Sequence, residues 1–142
     1  KPGELLGESD LDYTIESEFR VPQFFHKRGA LAAAREPDED NPERRSSASQ
    51  FYIVWGKTCT RGMLNKAQDI LDKNTNGEVR ITKEMEDVYQ TQGGVPRLDG
   101  QYTVFGEVVQ GLDVVERIQA VTPDNDDRPL VDVRIIKAVV EK

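Results

Sequence analysis

Phe51-Tyr52-Ile53-Val54-Trp55 is the stretch that most narrows the folds open to this chain. β-Branched and aromatic side chains suit a pleated, half-buried surface, and the bounding Ser/Ala residues and Gly56 mark the ends of a strand. Alternation along it assigns Phe51, Ile53 and Trp55 to one face, where core packing explains them, and Tyr52 to the other. A chain centred on such a strand is committed to a sheet.

Residues 13–19 show a short apolar/polar alternation and are expected to pair at a sheet edge, after a polar loop over residues 1–12. Residues 35–47 combine two prolines with dense charge and no apolar side chain, so a surface loop is expected there. Residues 103–109 read as a strand, residues 112–118 as a short amphipathic helix, and residues 131–140 as a closing strand. Between them lies a helical insert at about residues 57–97. Met63, Leu64, Ala67, Ile70 and Leu71 recur at helix spacing, as do Ile81, Met85, Val88 and Tyr89. Thr82 is placed to cap the second helix, with Glu84 in its first turn. Residues 74–77 turn the chain between the two helices, and Gly93, Gly94 and Pro96 end the second.

At 142 residues the chain is read as a single domain spanning 1–142. A chain of this size buries about 68–70% of the surface its unfolded form exposes, enough for a core. A net charge of −7 argues against phosphate-backbone binding and against anionic membrane surfaces. No apolar run approaches the roughly 18 residues of a spanning helix. Cys59 is the only cysteine, which excludes an intrachain disulfide and leaves the redox compartment open. The compartment itself stays open between a bacterial envelope or periplasm and the cytoplasm.

Three segments occur in order: Gly29-Ala30-Leu31-Ala32-Ala33-Ala34-Arg35, then Ser49-Gln50-Phe51-Tyr52-Ile53, then Leu98-Asp99-Gly100-Gln101-Tyr102-Thr103-Val104-Phe105-Gly106. Together they resemble the core of the cyclophilin-type peptidyl-prolyl cis–trans isomerases, whose usual wording is Gly-x-Leu-x-Met-Ala, Ser-Gln-Phe-Phe-Ile and Leu-Asp-Gly-x-x-x-Val-Phe-Gly. The resemblance covers nearly the whole chain apart from the insert. It implies a mainly β fold, an antiparallel β-barrel with a capping helix and a helical insertion. It also implies that residues 29–34 form a strand although Ala is the best helix former, with small side chains because something packs closely over them.

The family turns the bond before proline, which otherwise rotates over a barrier of about 18–20 kcal/mol. The resemblance implies no cofactor and no metal, only an apolar pocket for proline and donors that favour the twisted amide. By the family pattern Tyr52, Leu98 and Tyr102 line the proline pocket. Tyr52 stands where the family usually has Phe, and Tyr102 where many members have His. Ala34 and Arg35 fall where the substrate backbone is met, and Gln50 lies beside the groove. Arg97 stands where cyclosporin-sensitive members have Trp, so strong cyclosporin binding is not expected. The implied partners are proline-containing polypeptides.

The family's catalytic arginine lies in a Phe-His-Arg triplet followed by Gln-Gly-Gly-Asp, and neither stretch occurs between Lys1 and Lys142. No catalytic residue is therefore assigned. The barrel is expected to be incomplete at its N-terminus, the chain holding the C-terminal two-thirds or more of the domain, with the rest upstream. That omission keeps a second class open, a non-catalytic module that binds or chaperones proline-containing segments.

Two other features carry bland readings. His26, the only histidine, has no companion ligand motif and reads as a surface or hydrogen-bonding residue. Residues 72–79 reproduce the first eight positions of an EF-hand loop, but Arg80 brings positive charge to the ninth position and Lys83 stands at the twelfth, where a bidentate Glu belongs. A turn between helices is the expectation, and a calcium-responsive domain over residues 72–84 is the alternative. Asp124, Asp126 and Asp127 read as an acidic turn.

Overall fold

The computed structural model describes residues 11–141. Apart from Leu11 and Asp12, the polar loop expected over residues 1–12 lies outside them. The described residues form small antiparallel sheets and three α-helices, a mixed content rather than a mainly β one.

The organising sheet has three strands. β2 (Ala30–Ala33) lies between β4 (Phe51–Ile53) and β5 (Val104–Glu107), antiparallel to both. Leu31 faces Ile53, Ala32 faces Tyr52 and Ala33 faces Phe51. On the other side Leu31 faces Gly106 and Ala32 faces Val104, so Phe105 is an extra residue that bulges the edge strand. A two-stranded pair, β1 (Thr14–Ile15) with β3 (Ser46–Ser47), stands beside it. The strand expected over residues 13–19 is thus cut to two residues. The loop expected over residues 35–47 gives its last two residues to β3, where Ser46 is buried and bonds to Thr103.

Small residues decide which face is covered. Ala30 and Ala32 are fully buried, so a neighbouring layer sits directly on β2. The opposite face is open. Phe51 is 52% exposed and Ile53 38%, so the described residues do not build the core expected around them; Trp55 is half-buried under the Arg28 guanidinium, 4.5 Å from its ring.

The two helices of the insert form where the periodicity places them, although Met63 and Ile70, counted in the first stripe, are exposed and only Leu64, Ala67 and Leu71 of it are buried. α1 (Arg61–Asn74) is capped by Thr60 and α2 (Lys83–Thr91) by Thr82, each hydroxyl accepting an amide three residues on. Their stripes meet, and Cys59, Leu64, Met85 and Tyr89 form a buried cluster flanked by Val21, Phe25 and Ile81. The insert is closed at its base, where the Gly94 amide donates to the Lys57 carbonyl at 3.2 Å and the Cys59 amide to the Tyr89 carbonyl at 2.9 Å. A Cβ on Gly94, whose φ is +146°, would lie 2.3 Å from the His26 carbonyl oxygen and 2.7 Å from the Tyr89 ring. Residues 75–82 connect the two helices, and Asp72 in the last turn of α1 pairs with Arg80 at 3.0 Å.

A 3-10 turn, Pro96–Leu98, leads from the insert to β5, and α3 (Leu112–Gln119) follows with no fully buried residue. The closing strand expected over residues 131–140 is absent. That segment pairs with no strand among the described residues and leaves Ile136 97% exposed. A strand is stabilised by the neighbour it bonds to, and alternation alone cannot supply one.

Candidate functional site

Facing residues of antiparallel strands share one side of the sheet, so Tyr52 stands over the fully buried Ala32. The Tyr102 ring meets Tyr52 nearly at right angles, 82° between planes and 6.0 Å between centroids. That edge-to-face arrangement is the one the ring quadrupoles favour. His26 completes a cluster of three rings, stacked on Tyr52 at 6.1 Å and perpendicular to Tyr102 at 6.3 Å.

Arg35 leaves the end of β2 and lays its guanidinium over the Tyr102 ring at 4.5 Å. Its Nε donates to the Gln101 carbonyl at 2.8 Å, and Nη1 pairs with Asp38 at 2.6 Å and donates to the Glu36 carbonyl at 2.9 Å. The side chain is 5% exposed. Arg44 holds the same Asp38, and the hydrogen bond from Arg44, followed by the one from Arg35, keeps that carboxyl below the ordinary aspartate range.

Ala34 is fixed by its main chain, its amide donating to Gln50 and its carbonyl accepting from Ser47. Ala34, Arg35 and Gln50 line a groove of about 440 Å³ with Thr14, Asn41 and Ser47. Tyr52, Tyr102 and Leu98 stand outside that groove. Arg35, which lines the groove and covers Tyr102, joins the two groups. Leu98 is half-buried at the end of the 3-10 turn, attached to the aromatic cluster through its neighbour Asp99.

Sequence reasoning missed the residues beneath the cluster. Asp99 and His26 are fully buried, and Asp99 Oδ1 accepts from both the His26 amide at 2.8 Å and Nδ1 at 2.9 Å. His26 Nε2 lies 3.0 Å from Tyr52 Oη. Tyr89 Oη donates to Asp99 Oδ2 at 2.7 Å. A lone histidine 73 residues from its carboxylate leaves no local pattern. The one signal in the sequence is Tyr89, a hydroxyl-bearing ring placed on the buried stripe of α2, where such a group needs a partner.

Among the described residues, no group of three His, Cys, Asp or Glu side chains is placed to hold a metal ion, and no helix is long and apolar enough to cross a membrane.

Comparison with known proteins bears on this geometry. The family model described as cyclophilin type peptidyl-prolyl cis-trans isomerase/CLD matches residues 3–140. A Staphylococcus aureus (strain USA300) protein named "Putative peptidyl-prolyl cis-trans isomerase" is 32% identical over 136 residues, 96% of this chain and 61% of that protein. A Staphylococcus epidermidis protein of the same name is 31% identical over the same shares. The chain therefore spans 61% of the length of these curated relatives.

Proposed function

The chain belongs to the cyclophilin-type peptidyl-prolyl cis–trans isomerase family, and from that premise we propose that it forms part of an enzyme accelerating rotation about X–Pro bonds in polypeptides. The observation that carries the reading is the perpendicular Tyr52–Tyr102 pair beside the groove of Ala34, Arg35 and Gln50. In this reading the two rings and Leu98 take the proline ring. The polypeptide on either side of it runs along the groove, with the backbone at Ala34 and Arg35 meeting its amides and Gln50 offering a polar side chain.

Rotation needs no proton shuttle, nucleophile or cofactor. A twisted amide has lost its resonance, its nitrogen accepts a hydrogen bond better, and a fixed donor aimed there lowers the barrier. Arg35 is a poor candidate for that donor because its guanidinium is committed to Gln101, Asp38 and Tyr102. Arg20 is paired to Glu18, and Arg28 to the carbonyls of Trp55 and Gly56. The donor is proposed to come from a part of the protein outside residues 1–142.

The same part is proposed to complete the fold. Phe51, Ile53 and Phe105 expose an apolar sheet face of the kind a closed barrel keeps inside, and the outer edges of β4 and β5 are open to further strands. Arg97 is exposed where an indole would serve cyclosporin, so weak inhibition by that compound is expected.

The test is a protease-coupled isomerisation assay on a prolyl peptide, run on residues 1–142 and on the full-length protein. Turnover by the full-length protein alone supports both the reading and the external donor. Turnover by both would return the donor role to a residue of this chain, and binding without turnover in either would replace the enzyme with a peptide-binding module.

A further inference from the structure

Tyr89 belongs to the insert and Tyr52 to the sheet, yet one line of buried hydrogen bonds joins them. Tyr89 Oη, Asp99, the His26 ring and Tyr52 Oη follow one another at 2.7, 2.9 and 3.0 Å. The direction of the first two bonds follows from what each group can offer. A carboxylate only accepts, so the Tyr89 hydroxyl and His26 Nδ1 both donate to Asp99. The last bond joins His26 Nε2 to the Tyr52 hydroxyl, a group able to donate or to accept. Both phenols are held protonated. Burial is the main cause that raises each above the ordinary tyrosine range, with the Asp99 charge adding to it.

We infer that the helical insert is a positioning element for the Tyr52–Tyr102 pair, and that Tyr89 exerts it through Asp99 and His26. Three observations support this. Every buried side-chain polar atom among the described residues has a partner, so the relay has no loose member. Its insert end is fixed in place, because Tyr89 is fully buried in the α1–α2 cluster and Gly94 brings the end of the insert against the His26 carbonyl. Its other end is the Tyr52 hydroxyl, on the ring that meets Tyr102 at 82°. Tyr89 reaches the pocket only through other residues and is a positioning residue.

The consequence for substrate rests on the isomerase reading, whereas the coupling of Tyr89 to Tyr52 can be read in the free protein. The experiment uses the full-length protein with Tyr89→Phe, Tyr52→Phe and the double substitution. Tyrosine-ring NMR is recorded on each, with Tyr52 assigned by its loss in Tyr52→Phe, and kcat and KM are measured on a prolyl peptide. Tyr89→Phe is expected to move the Tyr52 ring resonances and to raise KM about three- to tenfold, the range a single lost hydrogen bond supports. Its effect on kcat is expected to be smaller, because a misaligned pocket wall weakens ground and transition states alike. In the Tyr52→Phe background the same substitution is expected to leave KM unchanged, the non-additivity that marks a shared line of contact.

An equal KM effect of Tyr89→Phe in both backgrounds would reduce Tyr89 to a merely structural residue and overturn the inference. Unmoved Tyr52 resonances in Tyr89→Phe would overturn it too. A wild-type protein that neither binds nor turns over the peptide would refute the isomerase reading, and the NMR arm would still decide the coupling.

Discussion

At His26 one imidazole and one backbone amide join the Tyr89 hydroxyl in satisfying a carboxylate that has no access to water. Deleting that ring is costly from both sides, since Asp99 loses a donor and Tyr52 loses its partner. His26→Leu is therefore expected to destabilise the fold by about 1–3 kcal/mol, the range for leaving a buried polar group short of its hydrogen bond, as measured by urea unfolding. Asp38 is a different case. Its carboxyl sits below the ordinary aspartate range when folded, so its pairing with Arg44 and Arg35 contributes above the unfolded pKa and fades as pH falls through the folded one. Asp38→Asn is expected to remove a small, salt-sensitive part of the acid-side loss of stability below about pH 4. The part is small because the Asp38 side chain is half exposed and solvent screens the pair. At this scale a family pattern singled out Tyr52, Tyr102 and Arg35, which lie in contact with one another. The sequence was silent on what holds them, because hydrogen bonds between residues tens of positions apart leave no periodicity.

Secondary-structure elements with their own punctuation were the most legible. Thr60 and Thr82 cap α1 and α2, and Thr82→Ala is expected to cost about 1 kcal/mol with a matching loss of helical circular dichroism. Leu71, fully buried on α1, is expected to cost about 2–5 kcal/mol as Leu71→Ala. β2 was legible only through the family pattern, since its alanines argue for helix on their own. Residues 131–140 failed in the opposite way: the alternation is present, and the neighbour that would make it a strand is not among the described residues. β4 shows the same limit in milder form. Period-two spacing separates its faces, but which face is buried depends on the layer that covers it, and Phe51 and Ile53 ended on the open side.

For the whole molecule, an open face carrying Phe51, Ile53 and Phe105 is a liability in water. If the barrel is completed outside residues 1–142 as proposed, residues 1–142 alone are expected to bind a hydrophobic dye and to self-associate in analytical ultracentrifugation, and a monomeric, dye-silent result would count against that proposal. The net charge of −7 works against association but is spread over the surface and does not mask that face.

The two bonds that close the base of the insert have an architectural corollary. Lys57 and Gly94 are joined by a direct hydrogen bond, so the excursion between them begins and ends at nearly the same point. Such a side-loop can lengthen, shorten or be exchanged without moving the strands that flank it, as an annexe shares one doorway with its house. What cannot be exchanged so freely is the phenol that α2 sends back through that doorway to Asp99. A shorter loop at this position would have to bring another donor with it, or do without the buried carboxylate altogether.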